Sequence, residues 1–117
     1  MPQYAVFLYA PIDDDTEPEP GGREEHARHA DELRESGKML ACFALEPYTT
    51  STSIRSGGII TDGPFIESKE VVLGFYVIEA HDLDGALAIA GRNPIIRQGG
   101  GVEVRPVEGG EVRPFVQ

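Results

Sequence analysis

Histidine is the one side chain whose ordinary pKa lets it trade a proton near neutral pH. Of the three histidines in this chain, His26 is singled out by its spacing. Ala30, Leu33 and Gly37 follow it at i+4, i+7 and i+11, so all four fall on one helical stripe, with Ala27 flanking and His29 at the edge. A histidine that points inward from the first turn or so of a helix stays neutral, because the positive helix end disfavours its protonation. A neutral, inward His26 can serve as a general base. The same pattern also fits a core histidine with one satisfied hydrogen bond, and the wheel alone leaves both readings open. The second group of candidates lies in Thr61–Glu70. Asp62, Glu67, Lys69 and Glu70 are the charges of that stretch, able to place a polar ligand. Arg105, farther along, can bind an anion or serve a subunit contact. Plain structural roles remain open here too: Asp62 as the cap of its turn, Phe65 as a core plug, and Glu67, Lys69 and Glu70 as a surface ion-pair cluster. One inward histidine with scattered carboxylates has no metal-ligand spacing, so no metal is expected. Gly99-Gly100-Gly101 follows no strand-to-helix pattern, so it is no phosphate loop, and no cofactor is expected.

The elements that must hold these residues are readable in order. Tyr4 to Tyr9 is a strand apolar on both faces. Pro11 to Gly22, with Asp13-Asp14-Asp15 and Glu17-Pro18-Glu19-Pro20, is a solvated loop without calcium-loop spacing. Arg23 to Ser36 is a helix stopped by Gly37. Met39 to Leu45 is the second strand, in whose apolar run Cys42 reads as buried and unreactive. Ser53-Ile54-Arg55 and Ile59-Ile60-Thr61 form a hairpin around Ser56-Gly57-Gly58. Asp62-Gly63-Pro64 is a fixed turn, because Pro64 donates no amide hydrogen and Gly63 is free to take unusual angles. Val71 to Ala80 is the longest strand, with Gly74 marking a bulge or a close backbone approach. A second helix begins at His81–Asp84 with Asp82 as its N-cap, and ends near Arg92 because Pro94 turns Asn93 away from helical angles. Val102 to Val107 is the last strand, and the tail offers Phe115 and Val116 for docking on a neighbour.

This order predicts one α+β domain over residues 1–117. Its mainly antiparallel sheet carries two helices on one face. The strands at Tyr4 and Val71 are apolar on both faces, so the uncovered face is expected to pack against another sheet, most simply in a two-fold homodimer. The formal net charge of -10 argues against nucleic acid and against an anionic membrane as partners. No apolar run is long enough to span a bilayer. The beginning Met1-Pro2-Gln3-Tyr4 lacks the basic and apolar regions of a secretion signal, so a cytoplasmic location is expected.

These residues resemble the YCII-related family, and within it the DGPF subgroup. The likeness is carried by Thr61-Asp62-Gly63-Pro64-Phe65, Glu67 and Lys69-Glu70, then by Leu73-Gly74-Phe75-Tyr76. Asp82-Leu83-Asp84 and Glu103-Val104-Arg105-Pro106 extend it over nearly the whole chain. The resemblance implies a ferredoxin-like dimeric α+β barrel. It implies a site histidine at His26, in an Arg23-Glu24-Glu25-His26 setting. It also implies an aspartate before a proline after the second helix, where this chain has Asn93-Pro94. Asparagine cannot act as a carboxylate base or stabilise an imidazolium by charge. Two functions follow as expectations. One is a small-molecule enzyme that uses His26 for proton transfer, with Asp62 as the second catalytic candidate and Glu67, Lys69, Glu70, Asn93 or Arg105 around the ligand. The other is a dimeric module that binds a small ligand or regulates without chemistry.

Overall fold

The computed structural model describes residues 1–12 and 22–112. The acidic stretch expected as a loop, at 13–21, and the tail at 113–117 with Phe115 and Val116 lie outside the described residues, as does the side chain of Arg23.

The elements run β1 (Gln3–Pro11), α1 (Gly22–Glu35), β2 (Met39–Ala44), β3 (Thr52–Arg55), β4 (Ile59–Asp62), β5 (Glu70–Glu79), α2 (Leu83–Ala90) and β6 (Gly101–Pro106). Single 3-10 turns sit at Tyr48–Thr50 and Pro94–Ile96. Four strands form one antiparallel sheet in the order β2-β5-β1-β6, and β3 pairs with β4 in a separate hairpin. Two helices with antiparallel sheets in this connection are consistent with a ferredoxin-like fold.

The pleat explains how one sheet presents two apolar faces. Successive side chains alternate between the faces. Tyr4 stands opposite Ile78, and Val6 opposite Tyr76, on the inner face. All four are buried, with Val6 and Ile78 wholly so, and they pack with Leu33 of α1 and with Ala86, Ile89 and Ala90 of α2. Both helices therefore cover the inner face. The alternate register, Ala5 with Val77 and Phe7 with Phe75, points the other way. There Phe75 stacks obliquely on Phe7 at 6.2 Å and on Phe43 at 5.4 Å between ring centres. Phe43 is 55% exposed, and no helix of the described residues packs over it.

Short-range chemistry fixes the boundaries. Asp82 caps α2 by accepting the Gly85 amide at 2.8 Å, which satisfies one of the orphan donors of a helix start. Asn93 does the same for the turn at Pro94–Ile96, accepting the Ile95 amide at 3.0 Å. Gly74 marks a close approach. A Cβ there would lie 2.5 Å from the Phe43 carbonyl oxygen, a distance that only strand displacement relieves. The Asp62 turn is pinned by the hairpin. Gly63, at φ +101°, donates its amide to Ser51 O at 2.8 Å. Ser53 Oγ donates to Gly63 O at 2.7 Å, and Arg55 donates to Phe65 O at 2.7 Å while lying over the Phe65 ring. Phe65 itself is 56% exposed and plugs no core.

Candidate functional site

The inner face is not filled completely. Between α1 and the strands lies a cavity of about 360 Å³. Its polar lining comes from His26 and His29 of α1, Cys42 of β2, Tyr76 of β5 and Asn93 after α2. The remaining wall is apolar, including Leu8, Leu33 and Ile95. The small side chains Ala27 and Ala30 of α1 leave space between its larger residues His26, His29 and Leu33. A pocket of a few hundred Å³, mostly apolar with a few convergent polar groups, is the usual form of a small-molecule site.

The two helix histidines do different things. His26 is half-buried, and its Nε2 lies 2.9 Å from Gln98 Oε1. A carbonyl oxygen only accepts, so Nε2 carries the proton, and in the neutral ring Nδ1 keeps its lone pair for use as a base. His29 is the more deeply placed of the two, at 9% exposed. Burial pushes its pKa down, nearby Glu32 pulls it up, and His26 and Arg92 push it further down. Its Nε2 is buried without a hydrogen-bond partner.

Tyr76 stands across the cavity. Burial drives its pKa up to about 12, with Asn93 acting to lower it and Cys42 to raise it. The phenol therefore stays protonated at neutral pH. Asn93 is near enough to act on the hydroxyl, yet Tyr76 Oη makes no hydrogen bond of ordinary length and angle. Two side chains that line one cavity, Tyr76 and His29, thus each carry a buried polar atom without a hydrogen-bond partner. An unsatisfied buried polar group costs about 1–3 kcal/mol, so each one calls for a physical reason.

Among the residues named from the sequence, His26 and Asn93 come together in this cavity. The others lie elsewhere. Lys69 and Glu70 line an open cleft of about 510 Å³ together with Tyr9 and Glu103. Tyr9 donates to Glu103 Oε1 at 3.1 Å there, and burial with that carboxylate raises the Tyr9 pKa. Arg105 is exposed on β6, its Nε 4.0 Å from Glu103 Oε2. Asp62 and Glu67 are exposed and line neither space. No carboxylate lines the His26 cavity, and no cluster of three or more metal-ligating side chains occurs among the described residues.

Two expectations change, and two residues of the site went unread. His29, set at the edge of the helical stripe, is the buried histidine. The stripe of α1 is centred on His29 and Leu33, a modest rotation from the His26–Ala30 axis that small alanines leave undetermined. Cys42 is exposed rather than buried, because β2 is an edge strand, and it is one of the residues that line the cavity. Tyr76 was hidden in a continuous apolar strand, where its residue type was the only signal that a polar tip needed a partner. Gln98 carried no signal at all.

Comparison with known proteins fits this architecture. An uncharacterised protein of Rhizobium meliloti (strain 1021) is 42% identical to this chain over 80 residues. The match spans 62% of this chain and 62% of that protein. No helix of the described residues is long and apolar enough to cross a membrane. The pattern of the YCII-related domain matches residues 3–110, nearly the whole span of the fold, and the chain belongs to the YCII-related domain family.

Proposed function

We propose that this protein takes a small, largely apolar metabolite into the cavity under α1 and assists proton transfer on it. The observation that carries this reading is that Tyr76 and His29, each with a buried polar atom lacking a partner, line one space of about 360 Å³ together with His26. Such a site suits a ligand with one or two oxygens on an apolar body. Tyr76, held protonated, donates to a ligand oxygen. His26 Nδ1 takes a proton from an adjacent carbon or hydroxyl, while Gln98 holds the ring through Nε2. Among the described residues no carboxylate lines the cavity beside the imidazolium that forms, so the simplest course returns the proton within the bound complex. Isomerisation or exchange beside a carbonyl meets that condition.

A second reading, a binding or regulatory module without chemistry, is favoured by one feature. Asn93 stands where the resemblance implies an aspartate, and its side-chain oxygen is already engaged by the Ile95 amide. Proton exchange separates the two readings. Small carbonyl compounds that raise the melting temperature are incubated in deuterium oxide and followed by proton NMR. The enzymatic reading expects loss of the signal beside the carbonyl with wild type and no loss with His26→Ala. Stabilisation without exchange in the wild type leaves the binding module. A ligand at a hundred times its Kd raises stability by about 2.7 kcal/mol.

The wider assignment is part of the same proposal. The Thr61–Glu70 stretch supports the DGPF subgroup. The bare aromatic row of Phe7, Phe75 and Phe43 supports a homodimer closed sheet to sheet as a two-fold α+β barrel. The net charge of -10 supports a protein that works apart from nucleic acid and membranes, in the cytoplasm.

A further inference from the structure

Three of the ten lysines and arginines in this acidic chain gather at one place. Arg28 of α1 and Arg92 and Arg97 from the segment after α2 line a cleft of about 290 Å³. Glu25, His29 and Glu32 complete its polar walls. Positions 25, 28, 29 and 32 are i, i+3, i+4 and i+7, one face of the helix. Arg97 is committed, donating to Glu25 Oε2 at 2.9 Å. Arg28 and Arg92 make no ion pair and no side-chain hydrogen bond among the described residues. Three arginines against the two carboxylates Glu25 and Glu32 leave the cleft with one net positive charge, which a single anion can neutralise.

The cleft is not isolated. His29 lines it and also lines the apolar cavity. That ring is nine-tenths buried, and its Nε2 has no partner. His29 is therefore the divide between an apolar chamber and a cationic one. Asn93 and Pro94, adjacent in the chain, continue the same divide.

We infer that the ligand of this protein is an amphipathic monoanion, an aryl or branched alkyl carboxylate whose body fills the cavity while its carboxylate passes His29 to Arg28 and Arg92. This rests on the cavity reading above and adds the charge of the ligand to it. A cavity of about 150 Å³ holds benzene, so about 360 Å³ has room for an aromatic ring and a short spacer. The His29 Nε2 then gains a carboxylate oxygen or a ligand hydroxyl as its missing partner.

The probes are 3-phenylpropionate and its neutral twin 3-phenylpropionamide, titrated by calorimetry against the wild type and against Arg28→Gln/Arg92→Gln. Both side chains are exposed, so the double variant folds. The wild type is expected to bind the acid about tenfold more tightly than the amide, the ratio that about 1.4 kcal/mol supplies. The advantage shrinks as salt is raised. In the double variant the ratio falls to about one while the affinity for the amide stays. Equal affinities in the wild type, or a preference for the acid that survives in the variant, overturn the inference and leave the cavity reading standing. Failure of both acid and amide to bind overturns both.

Discussion

At the scale of single residues, the account turns on polar groups that the fold buries without satisfying. His29 gives a prediction in pH. Its folded pKa lies below the ordinary value near 6.5, chiefly through burial, with Glu32 opposing and His26 and Arg92 reinforcing. Above pH 6.5 both folded and unfolded chains hold His29 neutral, so it contributes no pH dependence. As pH falls below about 6.5, the unfolded chain takes a proton that the folded one refuses, and stability drops. Urea unfolding between pH 7.5 and 5 should show this decline, and His29→Gln should flatten it. A wild-type curve with no drop, or an equal drop in the variant, would remove His29 from its buried position. The sequence placed His26 on the inward stripe and His29 at its edge, whereas His29 is the more deeply buried of the two. A wheel drawn over alanines has a shallow preference for any one rotation, and packing turned it. Lys69 and Glu70 were legible as a charged pair but not their distance from His26. That separation is tertiary, since they line a different cleft from His26.

At the scale of elements, Gly74 is the sharpest case. The sequence marked it as a bulge or a close approach, and the structure realises the second, with β2 passing so near that a Cβ would meet the Phe43 carbonyl at 2.5 Å. Backbone cannot swing aside as a side-chain tip can. Gly74→Ala should therefore cost about 1–3 kcal/mol and loosen β2 against β5, which is visible as faster amide exchange in Met39–Ala44. Unchanged exchange there would mean that the two strands have room to spare. Element types and order were legible because each has its own signal: two-faced apolar strands, Asp82 as a cap, Pro94 as a stop. Boundaries moved by a residue or two, as frayed ends do. The Asp62 turn was legible as a turn. Its anchoring by Ser51, Ser53 and Arg55 of the hairpin was not, because nothing local in the sequence links a serine to a carbonyl ten residues away.

At the scale of the whole molecule, two helices cover the inner sheet face, and no helix of the described residues covers the outer one. Phe43, Phe75 and Phe7 form a continuous aromatic row across β2, β5 and β1. A second copy covers such a face most simply, and a stable contact needs roughly 1,000 Å² or more. Sedimentation should therefore give a dimer for the wild type and a monomer for Phe43→Lys, whose charge would be stranded in the contact. A wild-type monomer at micromolar concentration would contradict the paired-sheet arrangement. The two-faced character of the strands was in the sequence, since alternate positions of Tyr4–Tyr9 and Val71–Ile78 are all apolar. Which face the helices take follows from packing, and was not.

The most direct test of the cavity as a ligand site is the unfolding free energy of Tyr76→Phe in urea without ligand. If the hydroxyl is kept for a ligand, the resting protein gains nothing from it. The variant should then be as stable as the wild type, or more stable by up to about 1 kcal/mol, since an unsatisfied buried group has been removed. A loss of about 1 kcal/mol or more would show that the hydroxyl is bonded within the resting fold, and Tyr76 would then be a structural tyrosine rather than part of a site.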